Sequence, residues 1–151
     1  MRIKLFLSLL VTFSIPGLLN ARLVQSWTYE QMLDKADLVV IATVISTKDI
    51  NERYTLQDVT PPIEVVGVET EFESRIVLKG AKITKKFRLH HYRLKNDELF
   101  ANGPQLVTIE PGKHRTFLLF LIKEHDGKYA PATGQTDPAI FSIYELKGGV
   151  W

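Results

Sequence analysis

Four histidines are the side chains most able to do chemistry here: His90, His91, His114 and His125. A zinc ion asks for three or four nitrogen, oxygen or sulfur ligands in a tetrahedron. The chain holds no His-x-His, no His-x-x-x-His and no cysteine. His90 and His91 are neighbours, and on a regular strand neighbours point to opposite faces, so one ion cannot take both without a bulge. His91 follows the phase of Phe87 and Leu89 and leans toward a core. His90, His91 and His114 are the metal candidates that these residue types allow.

Acidic residues come next. Glu69, Glu71 and Glu73 recur at every second position, which sets their carboxylates about 7 Å apart along one face of a strand. Such a stripe could hold a cation or a basic partner, but the cations Lys86 and Arg88 lie at matching phase downstream. A solvated face paired across strands is therefore the expectation. Paired carboxylates for glycoside hydrolysis would need a cleft that raises one of their pKa values, and an open strand face provides none. Nucleophile motifs are missing: Ser74 and Ser142 sit in strand-like segments, and no Gly-x-Ser-x-Gly occurs. Gly148-Gly149 is followed by no helix that could cradle phosphate. Arg88, His90 and Tyr92 share one phase and could form a small polar-aromatic patch, with core packing or cross-strand pairing as the more common meaning of such residues.

The elements that must position these groups follow from periodicity. Thr28-Tyr29-Glu30-Gln31 has the capping-box form. It predicts a short helix to about Ala36, with Tyr29, Met32, Leu33 and Ala36 on one face. Asp37 to Ile50 is rich in β-branched residues and reads as a strand, and Asn51–Pro62, polar and ending in Pro61-Pro62, as a loop. From Val66 the residues Val66, Val68, Thr70, Phe72, Ser74, Ile76 and Leu78 alternate with Gly67 and polar neighbours, which is a long strand with one buried face. Lys85 to Leu94 resumes the pattern. A tight turn at Gly80-Ala81 would pair Glu73 with Arg88, Phe72 with Leu89 and Glu71 with His90. Lys95–Gln105 reads as a second long loop, Leu106–Ile109 as a short strand, and Glu110–Lys113 as a type II turn. Thr116–Ile122 is apolar on both faces and reads as the central strand. Asp126-Gly127 is a hairpin turn, and Tyr129–Thr133 and Ala139–Leu146 complete the sheet.

Five or six strands and one short helix predict an all-β, antiparallel, closed or partly closed barrel, with a two-sheet β-sandwich as the alternative. The first twenty-one residues stand apart from it. Arg2 and Lys4 precede an apolar run from Leu5 to Leu19, broken by Pro16-Gly17 before Asn20-Ala21. A basic head, a short apolar stretch and a small residue at the exit make an export signal. Fifteen residues fall short of the ~20 that a spanning helix needs. Cleavage after Ala21 is expected, with Gly17 the alternative, leaving residues 22–151 as one domain in the periplasm or outside the cell. An uncleaved signal would be the one route to membrane attachment.

Removal of that segment takes two of the nineteen basic residues and none of the seventeen acidic ones. The mature chain is then formally neutral, which gives no electrostatic reason to expect nucleic acid as a partner. With no cysteine to staple it, an exported domain of this size must be stable through its core. That favours a bacterial setting.

A run of features resembles one family of folds. Ala36-Asp37-Leu38-Val39-Val40 leads to a strand ending Val77-Leu78-Lys79-Gly80. Glu110-Pro111-Gly112-Lys113 precedes Phe117-Leu118-Leu119-Phe120-Leu121, and Asp126-Gly127-Lys128-Tyr129 precedes Gly134. From Ala36 to Leu146 this resembles exported bacterial domains of unassigned function whose barrel is similar to the netrin-like, OB-type fold of tissue metalloproteinase inhibitors. The resemblance implies a fold. The inhibitors work through an N-terminal cysteine, and a chain without cysteine inherits none of their functional residues.

The expectation for function is a non-enzymatic exported module, binding a protein or ligand in the bacterial envelope, with no catalytic residues and no cofactor. Its binding face would be formed by Asn51–Pro62 and Lys95–Gln105, the two longest connections. The alternative is a small metal-dependent hydrolase or metal-binding protein using histidines near one strand end.

Overall fold

The computed structural model describes residues 26–57, 62–81, 85–96, 104–110 and 115–147. The expected export segment, His114, most of the expected Glu110–Lys113 turn, the Gly148-Gly149 pair, and residues 58–61 and 97–103 of the two long connections lie outside the described residues.

Helix α1 (Tyr29–Lys35) begins as its capping box requires: Thr28 Oγ1 accepts from the Gln31 amide, and Gln31 Oε1 accepts from the Thr28 amide. Met32 and Ala36, one turn apart, are buried, whereas Tyr29 and Leu33 are exposed, so the apolar face is narrower than the sequence spacing implies. Tyr29, although exposed, still lays its ring 6.2 Å from Phe120 and 5.6 Å from Tyr144. Met32 and Ala36 meet Val39, Phe120 and Ala132.

Six strands follow: β1 (Leu38–Leu56), β2 (Ile63–Lys79), β3 (Lys86–Leu94), β4 (Thr116–Lys123), β5 (Tyr129–Pro131) and β6 (Ile143–Glu145). They form one sheet in the order β1-β2-β3-β5-β4-β6, and β1 also pairs with β4. Hydrogen-bonded neighbours therefore run β1, β2, β3, β5, β4 and back to β1, in one sheet and not the two of a sandwich. The pairing is antiparallel except at Leu89–Tyr129, where β3 and β5 meet in parallel through a single pair.

Several boundaries differ from the sequence reading. β1 continues through Asn51 to Leu56, pairing as far as Leu56–Ile63, so half of the expected loop is strand. Its polar composition reflects a strand end that has β2 alone beside it and is wetted on its other side. The segment 106–109 is not a strand, although Val107 and Ile109 enter the core. A 3-10 helix, Asp137–Ser142, replaces the first part of the last expected strand, and Pro138 in its first turn loses no hydrogen bond there.

The inward set of β2 holds from Val66 to Phe72, although Gly67 and Glu69 on the expected wet face are buried as well, and then the phase reverses. Phe72 is fully buried, but Ile76 and Leu78 are 54% and 57% exposed. The register explains it: Ile41 pairs with Ile76 and Ala42 with Ser74, so Arg75 is an extra residue that flips the phase and turns Val77 inward. Across β2 and β3, Phe72 pairs with Phe87, Glu71 with Arg88, Glu73 with Lys86 and Glu69 with His90, a slide of two residues from the tight-turn expectation. An even slide keeps every side chain on its face. The tight turn does not form because β2 runs on along β1 to Lys79 after leaving β3.

The core fills the inside of this ring. Phe72 stacks on Phe87 at 5.5 Å and meets Phe117 edge-on at 6.0 Å. Leu38, Val40 and Leu119 close around them, each such burial being worth roughly 1.5–3 kcal/mol. As expected for the central strand, β4 packs on both faces, Phe117, Leu119 and Leu121 inward and Phe120 against α1.

Candidate functional site

Beyond Asp49 the sheet narrows into an arm made of the end of β1, the start of β2 and the end of β3. A small cluster of Leu56, Ile63 and Val65, with Tyr92, Leu94 and Leu106 against it, holds the arm together. The register of β1 against β2 shifts between Asp49 and Arg53, which lifts Ile50 and Glu52 over the neighbouring strand. They lie over Gly67: a Cβ there would sit 2.9 Å from both Ile50 Cγ1 and Glu52 Cβ. A glycine inside a strand commonly marks such a close approach.

Glu52 is thereby delivered to β3. One of its carboxylate oxygens accepts a hydrogen bond from the Tyr92 hydroxyl, and the other lies 3.2 Å from His90 Nε2. His90 Nδ1 lies 3.1 and 3.2 Å from the two oxygens of Glu124, at the turn between β4 and β5. Gln135 Nε2 donates to the His90 carbonyl. The result is a line of polar groups, Tyr92, Glu52, His90 and Glu124, crossing three segments of chain. The Tyr92 ring lies 5.1 Å from His90 and 6.2 Å from Tyr54, which is 54% exposed. Burial, then the Glu52 carboxylate, pushes the Tyr92 hydroxyl pKa upward, so Tyr92 remains a donor.

His91 faces the other way, as strand alternation requires. Its Nε2 is 2.9 Å from Thr70 Oγ1, which in turn is 3.0 Å from Thr47 Oγ1. Burial lowers the His91 pKa to about 4, so the ring is neutral at physiological pH. His90 and His91 thus sit in separate networks. His125 is exposed in the turn. Among the described residues, no three histidine, aspartate or glutamate side chains converge as a metal site.

The expected open patch of Arg88, His90 and Tyr92 is only partly open. Arg88 is exposed, Tyr92 is half-buried, and His90 is 8% exposed because Glu52 comes over it from a segment assigned to a loop on sequence. The acidic stripe also departs from the solvated-face expectation at one end. Glu71 and Glu73 pair with Lys86 and Lys85 near the surface. Glu69 is buried, with Lys128 Nζ at 3.0 Å and Lys48 and Arg88 within 4 Å. The Lys128 hydrogen bond is the main cause that holds its pKa below the usual range, and Asp126 and Glu69 together raise that of Lys128. A shallow hollow of about 270 Å³ beside this cluster is lined by Phe87, Arg88, Asp126, Gly127 and Lys128.

Ser142 is fully buried, accepts from the Thr133 amide at 3.0 Å and shares a hydrogen bond with the Thr133 hydroxyl at 2.8 Å, pinning the turn after β5.

Glu52, Tyr54, Gly67 and Glu124 are the site residues that sequence reasoning passed over. Gly67 carried a usable signal, since it interrupts an otherwise regular strand. Glu52 and Tyr54 were hidden by polar surroundings, and Glu124 meets His90 only through the ring's closure. No family model and no curated protein matches this chain.

Proposed function

We propose that the chain is an exported, non-enzymatic binding module of the OB or netrin-like barrel type, and that it meets a protein partner in the bacterial envelope through its arm. The observation that carries this reading is the exposed Tyr54 ring beside Tyr92. Arg93 lies at the same end, paired in two-pronged fashion with Asp49. Tyrosine and arginine in such settings are the residue types that dominate the energetics of protein interfaces. The ring of paired strands supports the barrel assignment, and the basic, apolar, Pro-Gly-broken N-terminus supports export. The even balance of charge in residues 22–151 supports a protein partner over nucleic acid.

Two measurements test it. The N-terminal mass of protein recovered from the cell envelope or medium should begin at Arg22, or at Leu18 if cleavage follows Gly17. Tagged wild-type protein should retain one envelope protein in defined yield, and Tyr54→Ala should retain about tenfold less, the loss expected from an interface aromatic. Equal retention by both forms removes the arm as the binding face. Recovery only from the cytoplasm removes export.

A further inference from the structure

His90 makes contacts that cannot all be favourable with an ordinary neutral ring. A neutral imidazole has one N–H donor and one lone pair, while an ionised carboxylate only accepts. Nδ1 faces both oxygens of Glu124, and Nε2 faces Glu52 Oε2 at 3.2 Å. Nε2 is sealed from solvent and has no well-aligned hydrogen bond. If Nδ1 carries the proton, the Nε2 lone pair meets a carboxylate oxygen. If Nε2 carries it, the same conflict moves to Glu124. Only a ring with both N–H groups turns a donor, and a positive charge, toward each carboxylate.

Charged groups face this position from every element packed against it. From β1 comes Glu52. From β2 comes Glu69, the cross-strand partner of His90, itself held by Lys48, Arg88 and Lys128. β3 contributes Arg88 and the neutral Tyr92, with His91 on its opposite face. The turn between β4 and β5 contributes Glu124 and Asp126, the latter paired with Lys128. Each cation in this group is committed to Glu69 or Asp126, whereas Glu52 and Glu124 meet His90. The two carboxylates belong to segments that touch nowhere else in the ring's pairing, since β1 reaches β4 only from Leu38 to Thr43.

We infer that Glu52, His90 and Glu124 form a proton-operated clasp that ties the β1 arm to the β4–β5 turn across β3. With both ring protons present the clasp is closed. When one leaves, a lone pair faces a carboxylate, and the side that loses its donor is released. Tyr92 and the crossing over Gly67 keep Glu52 near, so release loosens the arm without detaching it. The inference holds whatever the arm binds.

Hydrogen exchange followed by NMR on 15N-labelled protein tests it between about pH 5 and about pH 8, the range in which a histidine changes charge. Protection factors of the arm amides, Asp49 to Leu56, should fall about tenfold as pH rises across that range, as expected for loss of one charge-assisted contact. Those of Val40 and Leu119 should stay level. In Glu52→Gln the carboxamide can donate to a neutral Nε2, so the arm should lose its pH dependence while the core amides keep their protection. Glu124→Gln makes the same test from the turn, and serves alone if Glu52→Gln fails to fold. Arm protection that is level with pH in the wild type, or a transition undiminished in either folded variant, overturns the clasp.

Discussion

Between Val39 and Thr43, β1 lies between two strands, and Leu38, Val40 and Ala42 enter the core. Between Asp49 and Leu56 the same strand has β2 alone beside it, and its side chains meet tyrosines, charges and one small apolar cluster. One continuous strand is thus held by apolar burial at its start and by polar contacts at its end. The comparison teaches that strand membership says little about stability. The beginning of β1 should open only with global unfolding, while the arm has its own, lower free energy of opening.

That difference can be broken most severely at the core. Phe72→Ala removes a fully buried ring that contacts Phe87 and Phe117. It should cost about 3–5 kcal/mol in urea denaturation and lower protection of both regions, because the arm depends on the body. His91, buried on β3, offers a chemical way to weaken the interior. Its folded pKa, about 4, lies below the ordinary 6.5, so its neutral burial costs nothing above pH 6.5. As pH falls from 6.5 to 4 the unfolded chain takes up a proton that the native ring refuses. Stability should drop by about 3 kcal/mol over that window. His91→Gln should flatten this component in denaturation curves measured across it.

A smaller and more local effect sharpens the contrast. Gly67→Ala places a methyl group within 2.9 Å of Ile50 and Glu52, whose atoms nearest it are close to their own backbone and yield little. The expected loss is about 1–3 kcal/mol. Its signature would be arm amides losing protection and the His90 and Tyr92 resonances shifting, with the core amides unchanged. A uniform loss across the molecule would show that arm and body open as one unit.

The sequence carried the body well and the arm poorly, for identifiable reasons. The capping box at Thr28, the Asp126-Gly127 turn, the two-faced apolar β4 and the inward set from Val66 to Phe72 are all local patterns, and local patterns survive into the fold. Gly127 closes the turn with φ of +84°, as a glycine there should. Ile76 and Leu78 were misplaced because a bulge one residue long inverts a period of two, and nothing in composition marks Arg75 as the extra residue. The hairpin register failed by two because a loop's length, not its glycine, sets the pairing. Glu52 and Glu124 could not be assigned to His90, since their meeting depends on which strands become neighbours when the sheet returns to β1.

The return of β4 to β1 also has a consequence for how the molecule assembles. Val39 pairs with Lys79 of β2, nearby in the chain, but its other partner is Phe120, supplied only when most of the polypeptide exists. Until then a three-stranded meander presents the unpaired flank of β1 from Leu38 to Thr43, a row of amides and carbonyls flanked by oily side chains. Slow, late closure of this kind is typical of chains whose contacts are distant in sequence. The interval before closure is when a second copy, or a chaperone, would find a docking edge that the finished protein conceals.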